Sequence, residues 1–274
     1  MSIIEIDEEL CNQDGICAMV CPLMVLNISD ENCPEPVPDA EETCIRCGHC
    51  VAACPTGALK HRDLDFYKFE PVDGSLKLST EQCEQFFKYR RSIRTFKDKP
   101  VSRDKLERLI DIARYAPSAR NAQEVEWLVI CDREKIKKYS GMVIDFCHIL
   151  LTEGVPGIDP NPHLHKVIGH WNEGIDLVLR DTPALIIAHM EEENHLAQND
   201  CMIALSNLEL AATGMGLGCC WAGFLMTAAG NYPAITEALS LPEGHKCFGA
   251  MMVGYPKFRY HRIPIRKEPK ITWR

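Results

Sequence analysis

The sequence contains no apolar run near the roughly 18 residues that a membrane-spanning helix requires. Its first nine residues, Met-Ser-Ile-Ile-Glu-Ile-Asp-Glu-Glu, are acidic where a secretory signal would be basic. Residues 1–63 carry twelve Asp and Glu against three Lys and Arg, so they lack the positive charge that nucleic-acid binding requires. We therefore expect a cytoplasmic protein that binds neither membranes nor nucleic acid.

The sequence also lacks the cysteine pattern of a disulfide framework, although it contains 15 cysteines among 274 residues. Eight of them fall within the first 54 residues at the spacing of metal ligands, and the other seven are scattered. This distribution argues against disulfide bonds and predicts a reducing environment.

Residues 44–55 read Cys-Ile-Arg-Cys-Gly-His-Cys-Val-Ala-Ala-Cys-Pro, a C-x2-C-x2-C-x3-C-P pattern. Thiolates select iron–sulfur clusters and zinc. Zinc sites usually pair two C-x2-C units across a longer gap, whereas here three ligands share one tight loop. The pattern resembles that of bacterial ferredoxins, in which the last cysteine binds the neighbouring cluster.

A second copy of this pattern lies 33 residues earlier, at residues 11–22. Such a repeat predicts two copies of one supersecondary unit, each contributing one ligand to the other's cluster. We assign the first cluster to Cys11, Cys17 and Cys54. We assign the second, a 4Fe-4S cluster, to Cys21, Cys44, Cys47 and Cys50.

The earlier copy has Asp14 where the later one has Cys47. A carboxylate is a harder and more exchangeable ligand than a thiolate. The first cluster is therefore either a 4Fe-4S cluster with an oxygen ligand or a 3Fe-4S cluster with one corner missing. Cys33, which has no counterpart in the repeat, is a third candidate ligand or else a buried free thiol.

No cluster motif follows residue 54, so the rest of the chain is a second, different domain. We predict a ferredoxin-like domain over 1–63, a linker over 64–79 and a larger domain over 80–274. In the larger domain, Ser79 to Gln82 form a capping box that begins a helix, and another helix follows Ser102. Further helices are predicted over 133–151, 164–180, 197–216 and 226–239, and strands over 126–131, 184–189, 219–224 and 247–254. This alternation predicts an α+β sandwich of helices around one sheet.

Three stretches of the second domain carry groups that could bind a ligand. Three arginines and a serine leave a helix end within residues 90–94, and the planar fork of arginine suits a phosphate monoester. Residues 116–123 offer amides and hydroxyls for the edge of a heterocycle. Taken alone, the first stretch is better explained as a solvated charge run and the second as an ordinary Pro-Ser/Asn turn. The glycines of 214–223 close a helix and precede a strand, the reverse of the order in a dinucleotide-binding loop, which excludes that fold.

In this order, and with the closing Arg262-Ile-Pro-Ile-Arg266-Lys, the three stretches resemble the nitroreductase superfamily of FMN-dependent oxidoreductases over residues 85–270. The whole chain resembles ferredoxin-fused nitroreductase-like proteins. The resemblance implies an intertwined homodimer with FMN at the subunit interface. An interface position agrees with the predicted helix 197–216, which is apolar on most sides.

The resemblance also implies roles for individual residues. The FMN phosphate and ribityl chain would be held by Arg90, Arg91, Ser92, Arg94, Arg262 and Arg266. Asn121 and Gln123 would bond the isoalloxazine edge, while Pro117 and Ser118 would reach the flavin of the other subunit. Ala222 and Gly223 would lie beside the ring, with one backbone N–H directed at flavin N5. Glu124 departs from the proline usual in the family, and no catalytic acid or base can be assigned.

Together these features predict an FMN-dependent oxidoreductase that receives electrons through two iron–sulfur clusters and reduces a small nitro, unsaturated or aromatic acceptor. The expected donor is a redox protein such as ferredoxin or flavodoxin, and the acidic first 63 residues could steer a basic partner. NAD(P)H acting directly on the flavin is an alternative donor. Two alternatives are not enzymes. One is a module that relays electrons to a partner protein, and the other is a redox sensor built on the Asp14 cluster.

Overall fold

The computed structural model describes residues 2–29, 32–159 and 162–274. It divides into two compact units. The first runs to Lys77 and includes Arg120–Ala122, and the second comprises Leu78–Ala119 and Gln123–Arg274. Within the described ranges, no helix combines the length and the apolar character needed to cross a membrane.

The first unit contains two short antiparallel sheets and three short helices. Strand β1 (Ile4–Ile6) pairs with β4 (Leu59–His61), and β2 (Leu26–Ser29) pairs with β3 (Asn32–Pro36). The helices are α1 (Ile16–Met19), α2 (Ala40–Thr43) and α3 (His49–Ala53).

The predicted 33-residue repeat is visible in the backbone. Gly15 precedes α1 and Gly48 precedes α3, with φ of +68° and +72°, a conformation that glycine adopts at little cost. Two residues earlier in each copy, Gln13 and Arg46 also have positive φ, at 58° and 53°. The two cysteine loops are therefore two copies of one structural unit.

The core of the first unit is small and lies between the two cysteine loops. Its buried side chains include Ile3, Ile4, Val25 and Leu59. Beyond the predicted boundary at residue 63, Phe66 and Phe69 also pack against this core. Residues 64–77 form two short 3-10 helices, Phe66–Lys68 and Gly74–Leu76. The first unit therefore extends to Lys77, and most of the predicted linker belongs to it.

The second unit is a four-stranded antiparallel sheet with helices on both faces. Its strands are β5 (Glu126–Ile130), β6 (Ala184–Glu191), β7 (Gly218–Trp221) and β8 (His245–Gly254), in the order β5-β6-β8-β7. Its helices are α4 (Thr80–Tyr89), α5 (Arg103–Ala113), α6 (Arg133–Thr152), α7 (Leu164–Asn172), α8 (Ala197–Gly214), α9 (Gly223–Ala229) and α10 (Pro233–Leu239).

The central strand β6 is buried on both faces from Ala184 to Met190. Leu185 and Ile187 face a core formed with α6, α7, α9 and α10. Ile186 and Ala188 face a second core formed with α5 and α8. This arrangement is the predicted α+β sandwich of helices around one sheet.

The helix predicted over 164–180 is much shorter, because α7 ends at Asn172. The buried carboxylate of Asp176 accepts hydrogen bonds from the backbone N–H groups of Val178, at 2.8 Å, and Leu179, at 2.9 Å. Gly174, with φ of +83°, ends α7 in the left-handed conformation, and the Asp176 cap then shapes the turn that leads to β6.

The helix predicted over 226–239 is two helices, because Pro233 begins α10 at the first helical position, where it replaces an N–H that has no acceptor. At α4, the predicted capping box is present, with the Ser79 hydroxyl accepting from Gln82 N–H at 3.2 Å and the Gln82 side chain accepting from Ser79 N–H at 2.9 Å.

Helix α8 packs its apolar side chains against its own sheet and α5, while Ile203 stays exposed. Its burial thus needs no partner, and the dimer remains a prediction.

Candidate functional site

The four cysteines predicted to bind the second cluster line one small cavity in the first unit. Cys44 and Cys47 lie in the loop after α2, Cys50 lies in α3, and Cys21 comes from the loop after α1. His61, at the end of β4, lines the same cavity. The fold therefore brings together the ligand set that the repeat predicted.

The spacing of these sulfurs favours a cluster over a single zinc ion. Zinc binds sulfur at about 2.3 Å, so tetrahedral ligands would lie about 3.8 Å apart. Among the residues that the structure describes, the group of three or more His, Cys, Asp or Glu ligand atoms within 4.8 Å of one another contains no cysteine. Wider separation is what a multi-iron cluster between the sulfurs requires.

The three cysteines predicted for the first cluster also lie close to one another. Burial raises the pKa of Cys17, and the nearby Cys54 and Cys11 raise it further. A hydrogen bond with Cys11 is the main cause of the raised pKa of Cys33. The Oδ1 atom of Asp14 accepts a hydrogen bond from Ile16 N–H at 3.0 Å. Cys33 therefore lies beside Cys11, and both Cys33 and Asp14 remain candidates for the fourth ligand.

His61 makes a directed contact to the second set of cysteines. Its Nε2 atom lies 3.5 Å from Cys44 Sγ, and its Nδ1 atom accepts a hydrogen bond from Asp63 N–H at 3.1 Å. Because Nδ1 is an acceptor, the proton of the neutral ring is on Nε2 and points at the sulfur. Burial of His61, the main influence on its pKa, lowers that pKa and favours the neutral ring.

We expect His61→Asn to lower the reduction potential of the second cluster by about 20–60 mV, the equivalent of one net hydrogen bond. The bond to sulfur stabilises the charge added on reduction, so its loss favours the oxidised cluster. The asparagine amide can still accept from Asp63 N–H. His61→Gln is the matched control, since its amide reaches the Nε2 position and should keep the potential within about 10 mV. EPR-monitored redox titration measures both, and an unchanged potential in His61→Asn contradicts the assignment.

The predicted phosphate-binding arginines lie where the chain leaves α4 and runs beside β7. Ile93 N–H donates to the carbonyl oxygen of Cys219 at 2.8 Å, and Ser92 forms a parallel bridge with Cys219. This pairing fixes the backbone of the arginine run. It places Arg90 and Arg91 at one cavity, of about 330 Å³, and Arg94 at another.

Arg90 and Arg91 have different partners. Arg90 Nη1 lies 2.6 Å from Oε1 of the buried Glu209, so its charge is already balanced. Burial and the nearby positive charges of Arg266 and Arg90 lower the pKa of Arg91. The charge of Arg266 thus acts on Arg91, while both Arg262 and Arg266 lie exposed in the C-terminal tail, and their contact with a phosphate remains a prediction. An anion would relieve the repulsion at Arg91.

Arg94 lines a cavity of about 460 Å³ together with Arg180, Trp221 and Gly223. Burial and the charge of Arg94 lower the pKa of Arg180. The remaining walls are mainly apolar and include Phe146, Leu150, Leu177, Val178, Phe224 and Met252. An apolar cavity of this size with a few convergent cations is typical of a small-molecule site.

The two backbone N–H groups predicted beside the flavin are not equivalent. Ala222 N–H donates to the carbonyl oxygen of Ala250 at 2.9 Å. Gly223 begins α9, and the first N–H of a helix has no acceptor within it. Of the two, Gly223 is therefore the better donor toward a ligand in the 460 Å³ cavity.

Pro117, Ser118 and Gln123 line a separate cavity of about 290 Å³. The buried carboxylate of Asp200 holds their loop, accepting from Ala119 N–H at 3.2 Å, and Ser118 Oγ accepts from Gln123 N–H at 3.0 Å. This group lies at a different cavity from Arg94 and Gly223. The roles predicted for Pro117 and Ser118, toward a flavin of the other subunit, and for Gln123, at the flavin edge, remain predictions.

Asn121 belongs to the first unit, together with its two neighbours in sequence. Its Nδ2 donates to the carbonyl oxygens of Ile45, at 3.3 Å, and Arg46, at 3.2 Å. These carbonyls lie between Cys44 and Cys47 in the sequence. The predicted contact of Asn121 with a flavin edge remains a prediction.

Sequence reasoning missed four residues of these sites: His61, Arg180, Asp200 and Glu209. His61 ends β4, and β4 is held in place by pairing with β1, which lies more than fifty residues earlier in the sequence. Asp200 and Glu209 are the two charged residues of α8, and this is the sequence signal that could have identified them. Arg180 follows a turn of unpredicted shape, and no local pattern distinguishes it.

Comparison with known proteins gives matches to both units. Residues 87–255 match the nitroreductase family, and residues 4–26 and 38–60 match the 4Fe-4S binding domain. An FMN reductase [NAD(P)H] of Bacillus subtilis is 29% identical over 176 residues, which is 64% of this chain and 66% of that protein.

Solved structures of nitroreductases share the fold of this chain. One from Desulfitobacterium hafniense, with bound FMN, has a TM-score of 0.57 and 19% identity, covering 69% of this chain and 96% of its own. Another from Bacteroides fragilis, also with bound FMN, has a TM-score of 0.54 and 24% identity, covering 70% and 96%. The chain therefore belongs to the nitroreductase family and carries a 4Fe-4S binding domain at its N-terminal end, as the resemblance predicted.

Proposed function

We propose that the protein is an FMN-dependent oxidoreductase that takes electrons from a redox protein through two iron–sulfur clusters and reduces a small organic acceptor. The observation that carries the proposal is the 460 Å³ cavity, in which Arg94 and Arg180 stand at the edge of apolar and aromatic walls. It lies in the unit that matches a family of oxidoreductases.

The residues present fit FMN. A phosphate needs cations without carboxylate partners, and the repulsion around Arg91 and Arg266 marks such a place. A flavin ring needs an apolar slot with few polar groups, which Trp221, Phe224 and the N–H of Gly223 supply. The Bacillus subtilis relative is named as an FMN reductase, and the two solved nitroreductases contain FMN.

Bound FMN supplies one- and two-electron chemistry, which joins one-electron carriers to two-electron acceptors. The chain's own groups bind and orient it. Arg91 and Arg266 would hold the phosphate, and Arg94 and Arg180 would stabilise negative charge on the ring. The apolar walls at Phe146 and Leu150 would exclude water from the reacting face.

The first unit supplies the electron entry in this proposal. We assign the second cluster to Cys21, Cys44, Cys47 and Cys50, and the first to Cys11, Cys17 and Cys54 with Cys33 or Asp14 as the fourth ligand. Clusters held in this way carry one electron at a time at low potential.

A homodimer is part of the proposal. Pro117 and Ser118 line a different cavity from Arg94, so one chain does not gather all the predicted flavin contacts at one place. The C-terminal tail also leaves Ile265 and Trp273 about nine-tenths exposed, at 95% and 88%. These apolar side chains would be covered if the tail packed on a second copy of the chain.

The donor is the point that an experiment must decide, because the Bacillus subtilis relative is named as an NAD(P)H enzyme. With the purified holoprotein under anaerobic conditions, reduced ferredoxin should support reduction of a nitroaromatic probe at least tenfold faster than NADPH or NADH at equal electron supply. Equal or faster turnover with NAD(P)H would show that NAD(P)H reduces the flavin directly and that the clusters carry electrons away from it. No turnover of the probe with any donor would favour the relay to a protein partner.

A further inference from the structure

A second group of metal-ligating side chains lies in the larger unit, on three neighbouring strands of its sheet. It consists of Glu126 on β5, His189 on β6 and His245 on β8. One ligand atom from each residue lies within 4.8 Å of the other two. These residues contribute to neither the cluster site nor the proposed flavin site.

An irregularity in the sheet creates this group. Ala188 pairs with Gly249, but the next residue, His189, pairs with Cys247, so Phe248 is an extra residue in β8. In a regular ladder His189 would pair with Phe248, and His245 would point to the opposite face, because side chains alternate along a strand. The bulge reverses that alternation and turns His245 toward His189. Bulges often serve to redirect a side chain near a functional site.

The third residue is placed by direct pairing. Glu126 lies opposite His189 in the antiparallel ladder of β5 and β6, so the two side chains share a face. His189 is buried at 4% exposure, His245 is half-buried and Glu126 is exposed. The group therefore has a fixed inner ligand and an opening to solvent through which an ion could enter.

The geometry of the two rings suits a shared ion. The Nδ1 atoms of His189 and His245 lie 3.0 Å apart. Two imidazole nitrogens bound to one zinc ion at 2.0–2.1 Å in tetrahedral geometry lie about 3.3 Å apart. A small outward shift of either ring would place an ion between the two nitrogens, in place of the hydrogen bond that they share.

We propose that Glu126, His189 and His245 form a binding site for a borderline divalent metal ion such as Zn²⁺. Two imidazoles and one carboxylate are a ligand set that zinc accepts, with the fourth position open to water. The site would tie β5, β6 and β8 together at one end of the sheet. The proposal does not depend on the proposed redox function, because the three side chains need neither flavin nor clusters.

The test uses the holoprotein, with its clusters and flavin in place, and zinc sulfate as the probe. Competition with a chromophoric chelator gives the affinity, and X-ray absorption at the zinc edge gives the ligands. We expect about one zinc ion per chain, bound by nitrogen and oxygen at about 2.0–2.1 Å, without sulfur at about 2.3 Å. His245→Gln and Glu126→Gln should each weaken binding by about 100-fold or more.

His165→Gln is the matched control, since His165 is an exposed histidine on α7 outside the group, and it should bind zinc as the wild type does. Glu126→Gln changes an exposed side chain on an edge strand, so it gives an answer even if a histidine variant fails to fold. Sulfur in the zinc shell, or equal zinc affinity in wild type and Glu126→Gln, would overturn the site.

Discussion

Arg91→Gln should raise the dissociation constant of FMN about 10- to 100-fold, the loss expected for one charge-assisted hydrogen bond to phosphate. Arg91 is chosen because burial, followed by the positive charges of Arg266 and Arg90, lowers its pKa. A bound phosphate dianion would reverse that repulsion. Arg90 is a poorer choice because its ion pair with buried Glu209 stabilises the fold whether or not a ligand is bound.

Riboflavin separates a phosphate contact from general damage, since it carries the same ring and ribityl chain without the phosphate. The affinity for riboflavin should change less than about twofold in Arg91→Gln. Arg108→Gln provides the matched protein control, because Arg108 is an exposed arginine on α5 that pairs only locally, with Asp111 at 2.9 Å. It should leave the affinity for both flavins unchanged. Fluorescence titration of the apoprotein measures all of these values.

Equal weakening of FMN and riboflavin binding would contradict the phosphate assignment and place Arg91 in a structural role. If Arg91→Gln weakened the binding of neither flavin, we would assign the phosphate to the 460 Å³ cavity, where Arg94 and Arg180 form the competing pair of cations. Arg180→Gln would then show the selective loss of FMN that Arg91→Gln lacked.

The parts of the fold that depend on local interactions could be predicted from the sequence. The capping box at Ser79 is an exchange of hydrogen bonds within four residues, and it is present as predicted. The cysteine repeat was accessible for the same reason, because each loop is a local unit with a positive-φ glycine at a fixed place. The four cysteines of the second cluster accordingly meet at one cavity.

The parts of the fold that depend on contacts between residues distant in sequence could not be predicted. The turn after α7 is held by the Asp176 carboxylate, which accepts a hydrogen bond from Ser140 Oγ on α6 at 2.7 Å, a contact across 36 residues that the apolar pattern does not record. The bulge at Phe248, which turns His245 toward His189, depends on how β8 pairs with β6, more than fifty residues away in sequence. His61 reaches the cluster cysteines only through the pairing of β4 with β1. Functional positions of this kind require the tertiary structure.

Cys47→Ser should abolish the second cluster and lower ferredoxin-driven turnover by about 100-fold or more. Cys47 is the one cysteine of the later copy that Asp14 replaces in the earlier copy, so it is specific to the second cluster. A serine hydroxyl is a far poorer ligand for iron than a thiolate. Iron analysis should show a loss of about four irons per chain, and the EPR signal of one cluster should disappear.

The FMN content of this variant should remain at the wild-type level, because the second unit has two hydrophobic cores of its own and needs no residue of the cluster loops to form them. The small core of the first unit depends on its clusters more strongly, so faster proteolysis of that unit is an expected accompaniment. Turnover with dithionite, which can reduce the flavin without the clusters, should persist. The combination of retained flavin chemistry and lost protein-driven chemistry would identify the cysteine-rich unit as the electron entry.

Cys83→Ser is the matched control for the loss of a thiol, since Cys83 is an exposed cysteine on α4 outside both ligand sets. It should retain all iron and full turnover with ferredoxin. If Cys47→Ser also retained ferredoxin-driven turnover after losing its cluster, electrons would have to reach the second unit by another route. Because ferredoxin delivers one electron at a time, that route would bring a one-electron donor directly to the cavity of Arg94 and Trp221, and the cysteine repeat would then have a sensing or structural role.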